Sequence, residues 1–315
     1  MTRVLVVGCG AIGSLMAGHL ARTGECEVWG YDVALPHVEA IARDGLVVEG
    51  ARAGGAGAFT ARFEIRADPA ELPAVDLALV ATKSEFTAAA VGAVAHAVRD
   101  AAVATVQNGV GNEEEVARIA RRVIRGSTLL AGSLPAPGHV RLDAGGETWL
   151  GPFEPLPARG DEVVLLAGLL EGGGLRAHAL ADARPPQWTK LLFNAATNAV
   201  GALTGLTIGQ VGTAPELREL VAGLLAEGRA VAAALGIELE EQPEDLIDDA
   251  VARAYRHRAS MLQDVDRRRR TEVDVLNGGI ASFGRRAGVP TPLNDAIVGL
   301  VRGLERSWDD PAPAA

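Results

Sequence analysis

Lys190, Asn194 and Asn198 recur every four residues in the stretch Trp188-Thr189-Lys190-Leu191-Leu192-Phe193-Asn194-Ala195-Ala196-Thr197-Asn198. At that spacing a helix sets one amine and two carboxamides along a single face, while Leu191, Leu192 and Ala195 cover others. Polar groups on an otherwise apolar helix need partners or a cavity, and a solvated face is the plainer alternative. The amine weighs toward chemistry. Of 30 basic residues only Lys83 and Lys190 are lysines, so the other 28 are arginines and the chain has drifted to arginine wherever a generic cation suffices. An ammonium can give up its proton, whereas a guanidinium is effectively permanent. Both lysines are therefore candidate functional groups.

A second set of residues lies near the N-terminus. The run Arg3 to Val7 leads into Gly8-Cys9-Gly10-Ala11-Ile12-Gly13 and then into an Ala/Leu-rich helical stretch to about Thr23. A GxGxxG pattern is weak evidence among 38 glycines, but the strand-turn-helix context gives it a mechanism. Gly8 allows a tight turn, Gly10 removes a Cβ so that a pyrophosphate can approach, and Gly13 lets helix and strand pack closely. The helix N-terminus then offers N–H donors to the phosphates. Asp32 ends the next strand, Cys26 to Tyr31, nineteen residues beyond Gly13. Its carboxylate can accept both hydroxyls of an adenosine ribose; a strand end facing solvent is the alternative. A 2′-phosphate there would meet like charge at about 4 Å, on the order of 4 kcal/mol at an effective dielectric of 20, so NAD(H) is favoured over NADP(H). Lys83 follows the run VDLALVAT, and Asn108-Gly109 follow ATVQ. Both positions fall at the edge of a parallel sheet where ligands bind in such folds.

These groups need a scaffold of two kinds. Buried runs at Val75 to Ala81, Ala101 to Val106 and Val123 to Ala131 alternate with Ala/Val helical stretches, which predicts a parallel, doubly wound sheet. Apolar Leu46-Val47-Val48 and the alternating Phe59, Ala61, Phe63 and Ile65 suggest further strands around the turn Gly54-Gly55-Ala56-Gly57. HVRLD and ETWLG, separated by Ala144-Gly145-Gly146, read as a hairpin at the end of that sheet. A helix over Asp161 to Gly172 and a strand over Leu175 to Ala179 complete it. Beyond Ala181-Asp182-Ala183-Arg184-Pro185-Pro186 the pattern is helical, with Trp188 to Leu203, Ala214 to Leu235, Asp245 to Arg256 and Asp264 to Ala287 as the main elements. The expected fold is α/β: a Rossmann-type dinucleotide-binding domain over 1–182, an all-α domain over 183–308, and a disordered tail over 309–315.

Forty acidic against thirty basic residues give a net charge of −10, which argues against nucleic acid or an anionic membrane as partner and leaves small molecules. There is no apolar run of about eighteen residues, and the N-terminus enters a strand at once, so a cytosolic protein is expected. Cys9 and Cys26 have no metal-ligand spacing and fall at core positions, where they read as reduced packing residues. No His/Cys/Asp cluster suggests a metal. The run Arg267 to Arg270 reads as a solvated face.

Four motifs in order, GCGAIG, the QNG at Gln107 to Gly109, KLLFNAATN at Lys190 to Asn198, and SMLQD…RRTEVD at Ser260 to Asp274, resemble the ketopantoate reductase (2-dehydropantoate 2-reductase) family over essentially the whole chain. The resemblance implies a Rossmann domain joined to a helical domain, with the active site in the cleft between them. It implies reduction of a 2-oxo acid to a 2-hydroxy acid, most directly ketopantoate to pantoate, with Lys190 as general acid and Glu272 orienting substrate and lysine. Asn194 and Asn198 fall on substrate-binding asparagines, Ser260 on the serine that holds the substrate carboxylate, Asn108 on the asparagine near the nicotinamide ribose, and Lys83 on the cofactor-side lysine. A homodimer is compatible with such a chain. Two departures stand out. NADPH-using members commonly carry an arginine where this chain has Asp32, which points to NADH and to a paralogue acting on a different 2-oxo acid; Leu142 stands where a histidine is frequent. A β-hydroxy acid dehydrogenase or imine reductase, and a non-catalytic redox sensor, are the competing readings.

Overall fold

The computed structural model describes residues 1–50 and 57–309, so Gly54, Gly55 and Ala56 of the glycine-rich turn and residues 310–315 of the tail lie outside the described residues. The chain divides into two units, one of residues 1–107 and 112–183, the other of 108–111 and 184–315.

The first unit opens with β1 (Thr2–Val7), α1 (Ala11–Thr23), β2 (Cys26–Tyr31), α2 (Leu35–Asp44), β3 (Leu46–Glu49), β4 (Ala58–Ala61) and β5 (Glu64–Arg66). It continues with β6 (Leu77–Val80), α3 (Thr87–Ala93), α4 (Ala95–Val98), β7 (Ala102–Thr105), α5 (Asn112–Ala117), β8 (Arg122–Thr128), β9 (Ala131–Ala136), β10 (His139–Ala144), β11 (Glu147–Pro152), α6 (Gly160–Gly172) and β12 (Arg176–Ala179). Eight strands form one sheet in the order β12-β11-β8-β7-β6-β1-β2-β5. All its pairings are parallel except β11 against β8. Strands β6 and β7 are buried throughout, and β1 is buried from Val4 to Val7, as continuous runs such as Leu-Ala-Leu-Val require when both faces are covered. The strand order reverses at β1, which has β2 on one side and β6 on the other; ligands bind at such switch points.

A second sheet, β4-β3-β10-β9, was not expected from the sequence. It explains why α1 is buried continuously from Gly13 to Leu20 rather than along one stripe. The helix packs against β1 and β2 of the large sheet and against β3, β4, β9 and β10 of the small one. Contact this close needs small residues: a Cβ on Gly18 would come within 2.7 Å of Val48 Cγ2.

Two expectations about the chain path are overturned. HVRLD and ETWLG do not form a hairpin. HVRLD lies in β10, which pairs with β9 and β3, whereas ETWLG lies in β11, which pairs with β8 and β12. The tight turn falls instead between β9 and β10, where Gly138 adopts φ +71°, a left-handed conformation that glycine tolerates. Gly146 passes so close to Leu129 that a Cβ would sit 2.5 Å from the Leu129 Cβ, and there the chain changes sheets.

The second unit is helical: α7 (Arg184–Thr204), α8 (Ile208–Thr213), α9 (Arg218–Ala234), α10 (Pro243–Arg253), α11 (Ser260–Asp266), α12 (Asn277–Ala287) and α13 (Pro292–Asp309). Its core gathers around α7, which packs against α8, α9, α10, α11 and α13. The second correction concerns Asp264 to Ala287, which is not one helix. Helix α11 stops at Asp266, Arg268 takes φ +49°, and α12 starts at Asn277. The exposed arginines 267–270 offer no apolar stripe to bury. The backbone of the following segment is satisfied from outside: the Thr271 N–H and hydroxyl both donate to Glu305 Oε1, at 2.8 and 2.6 Å.

Candidate active site

Lys190, Asn194 and Asn198 lie on α7, the helix around which the second core forms. Asn194 and Asn198 are only 8% and 4% exposed, which removes the solvated-face reading of this ridge. Thr197, fully buried beside them, returns its hydroxyl to the Phe193 carbonyl at 2.8 Å and contacts Asn198 Oδ1 at 3.4 Å. Polar groups so placed in an apolar core are costly unless partnered or turned toward a ligand.

Asn108 joins two residues far apart in sequence. Its segment, 108–111, belongs to the helical unit although it follows a strand of the sheet. It is anchored there by the Val110 N–H, which donates to the Val275 carbonyl at 3.0 Å, and by Val110 itself, which is part of the helical core. Lys190 Nζ donates to Asn108 Oδ1 at 2.8 Å, and Asn108 Nδ2 donates to Glu272 Oε2 at 3.0 Å. A carboxylate only accepts and an ammonium only donates, so the amide has one workable orientation between them. Burial of the amine pushes its pKa down to about 8, and the Glu272 carboxylate works in the opposite direction. An amine with that pKa exchanges its proton near neutral pH, which an exposed lysine does not.

Glu272 sits in the non-helical segment between α11 and α12, and α13 grips that segment on both sides of it. Glu305 holds Thr271, and Arg302 binds Asp274 at 2.7 Å. Sequence reasoning missed Glu305, whose only signal was an acid within the amphipathic α13. Ser260 is the exposed first residue of α11, which packs on α7, and it makes no hydrogen bond to Lys190, Asn108 or Glu272 among the described residues.

In the first unit, the glycine turn links β1 to α1. Gly8 adopts φ +88°, and a Cβ there would come within 2.5 Å of Thr82 Cγ2. A Cβ on Gly13 would lie 1.9 Å from the Gly8 carbonyl oxygen. At Gly10 the opposite holds: an added Cβ would meet no atom within 4 Å. The turn is thus packed tightly where helix meets strand and open where a pyrophosphate would approach, so residues 8–13, with Ala11 and Ile12 opening α1, fit a dinucleotide. Asp32 reaches the same turn. Its Oδ2 accepts the Cys9 N–H at 2.7 Å and its Oδ1 accepts the Ala34 N–H at 2.8 Å, which leaves further lone pairs for ribose hydroxyls. Lys83 lies just past β6, the strand beside β1, and the preceding residue Thr82 is held by Gln107 Nε2 through its carbonyl at 2.9 Å. Both cysteines are free and buried, and burial pushes both thiol pKa values up, which disfavours the reactive thiolate. Among the described residues no helix is long and apolar enough to cross a membrane.

The family model described as ketopantoate reductase PanE/ApbA matches residues 4–155, and its C-terminal counterpart matches residues 182–305. A 2-dehydropantoate 2-reductase of Archaeoglobus fulgidus is 32% identical over 308 residues, 96% of this chain and 98% of that protein. A crystal structure of a PanE/ApbA family ketopantoate reductase from Ralstonia eutropha JMP134 matches with a TM-score of 0.85 at 29% identity, covering 98% of this chain and 100% of that one. The ternary structure of D-mandelate dehydrogenase with NADH and anilino(oxo)acetate matches with a TM-score of 0.85 at 26% identity, covering 98% and 100%. The chain belongs to the ketopantoate reductase family of NAD(P)H-dependent oxidoreductases, which interconvert 2-oxo and 2-hydroxy acids.

Proposed function

We propose that the protein reduces 2-dehydropantoate to pantoate with NADH, Lys190 acting as general acid. The observation that carries this reading is the amine of Lys190 held by Asn108, which is itself held by Glu272. The bound dinucleotide, held by residues 8–13, Asp32 and Lys83, supplies the hydride. As C2 of the 2-oxo acid is reduced, the carbonyl π pair moves to oxygen, where the Lys190 ammonium stabilises the growing charge and hands over its proton. Glu272 keeps that ammonium protonated against the cost of burial. Asn194 and Asn198 bind the neutral polar groups of the substrate, and Ser260 the carboxylate. Asn108 orients the amine.

A pH dependence follows from the amine. Reduction needs the protonated form, so kcat should be flat below about pH 8 and fall above it, while oxidation of the hydroxy acid should rise through the same region. In Glu272→Gln the charge that favours the ammonium is gone, so the falling limb moves to lower pH. A limb that stays in place in that variant separates Glu272 from Lys190.

A different 2-oxo acid is the second reading, favoured by Asp32 at the glycine turn and by the similarity to a D-mandelate dehydrogenase bound to NADH. Steady-state rates with NADH on 2-dehydropantoate and on a panel of aliphatic and aromatic 2-oxo acids distinguish the two. The proposal expects the highest kcat/KM on 2-dehydropantoate. An aromatic or unbranched acid that wins by tenfold or more, roughly 1.4 kcal/mol, would overturn it.

A further inference from the structure

The glycine turn is held from behind by two side chains outside its motif. Ser14 and His37 are 0% and 6% exposed, and neither takes part in the reaction described above. A chain of contacts runs through them. The Gly138 N–H meets His37 Nδ1 at 3.0 Å, His37 Nε2 meets Ser14 Oγ at 3.1 Å, and Ser14 Oγ meets the Cys9 carbonyl at 2.7 Å. On the far side of Cys9, its N–H donates to Asp32.

The first contact sets the direction of the others. A backbone N–H only donates, so Nδ1 presents its lone pair and the neutral ring carries its proton on Nε2. That N–H donates to the Ser14 hydroxyl, whose own proton goes to the Cys9 carbonyl. Burial lowers the His37 pKa and keeps the ring neutral, while the Asp32 charge opposes this. The Cys9 carbonyl matters because its peptide is trans, the Glu154–Pro155 bond being the cis one. In a planar trans peptide the N–H points opposite to the C=O. Drawing Cys9 O toward Ser14, on the buried side of α1, therefore aims the Gly10 N–H away from the interior. That N–H donates to no backbone carbonyl among the described residues, and the space beside Gly10 is open.

The geometry points to His37 and Ser14 as positioning residues for the cofactor: they lock the Cys9–Gly10 peptide with its N–H turned toward the phosphates of the dinucleotide. This rests on the dinucleotide-binding reading above. Gly138 belongs to the β9–β10 turn, so the four-stranded sheet contributes to the same turn through one backbone N–H.

The test uses binding rather than turnover. In Ser14→Ala, which removes one oxygen, the NADH dissociation constant from fluorescence titration should rise about threefold to tenfold, the scale of one oriented hydrogen bond. The kcat at saturating NADH and the KM for the 2-oxo acid should stay within about twofold. His37→Phe keeps a ring but neither hydrogen bond and should give a similar rise. The double variant should be no worse than the more affected single one, because the chain is already broken. Nitrogen-15 spectra of the ligand-free wild type should show His37 as the neutral Nε2–H tautomer. That readout decides alone if the variants do not fold. Unchanged NADH affinity in Ser14→Ala, or an Nδ1–H tautomer in the wild type, overturns the inference. A wild type that binds no NADH sinks the dinucleotide reading instead, so the two failures are distinguishable.

Discussion

In Lys190→Met, kcat for reduction should fall by about 10²–10⁴, the range that a positioned proton donor contributes. The NADH dissociation constant should not move, because Lys190 belongs to the helical unit and the dinucleotide turn to the other. Methionine matches the length of the aliphatic stem and removes only the amine, so loss of packing is a poor explanation for a large effect. Lys190→Arg should not rescue turnover: a guanidinium keeps the charge but does not release its proton, and its planar fork differs in shape from the compact ammonium that donates to Asn108 Oδ1. Steady-state kinetics paired with NADH titration check both statements. Turnover within a few-fold of wild type in Lys190→Met would remove this residue from the mechanism.

The second large effect concerns cofactor choice. With Asp32 at hydrogen-bond distance from the Cys9 N–H, a 2′-phosphate on the adenosine ribose would be set beside a carboxylate. The group is half-buried near the surface, so the repulsion lies between the bulk-water and near-surface values, about 1–4 kcal/mol. NADH should then exceed NADPH in kcat/KM by about tenfold to a thousandfold. Asp32→Asn should narrow the ratio, chiefly by improving NADPH. A wild type that prefers NADPH by a wide margin defeats the argument outright.

The parts of the molecule legible in the sequence are those where local pattern and tertiary role coincide. The β1-turn-α1-β2 unit was readable because the glycines, the β-branched strand and the acid at the end of β2 each serve a local geometric need. The α7 ridge was readable because a spacing of four on a helix is a spatial statement by itself. What stayed hidden depends on partners distant along the chain. The four-stranded sheet is built from strands of four to six residues whose pairing, β3 with β10, spans nearly a hundred positions. The break after Asp266 was obscured because the Arg267–Arg270 run looks like any solvated helical surface. Asn108 could be placed at a sheet edge from its neighbours, but nothing local shows that its amide lies between Lys190 and Glu272. His37 carries no motif at all; only the fold brings it to Ser14, which in turn reaches Cys9.

The assignment of residues 108–111 to the helical unit has a practical consequence for engineering. A chimaera that grafts a foreign nucleotide module onto these helices at a single junction near Ala183 would leave behind the tetrapeptide that supplies Val110 to the helical core and the carboxamide to the amine. The graft must carry this insert along, with splice points on both of its flanks. Otherwise the recipient inherits Lys190 without the carboxamide of Asn108 that braces it here.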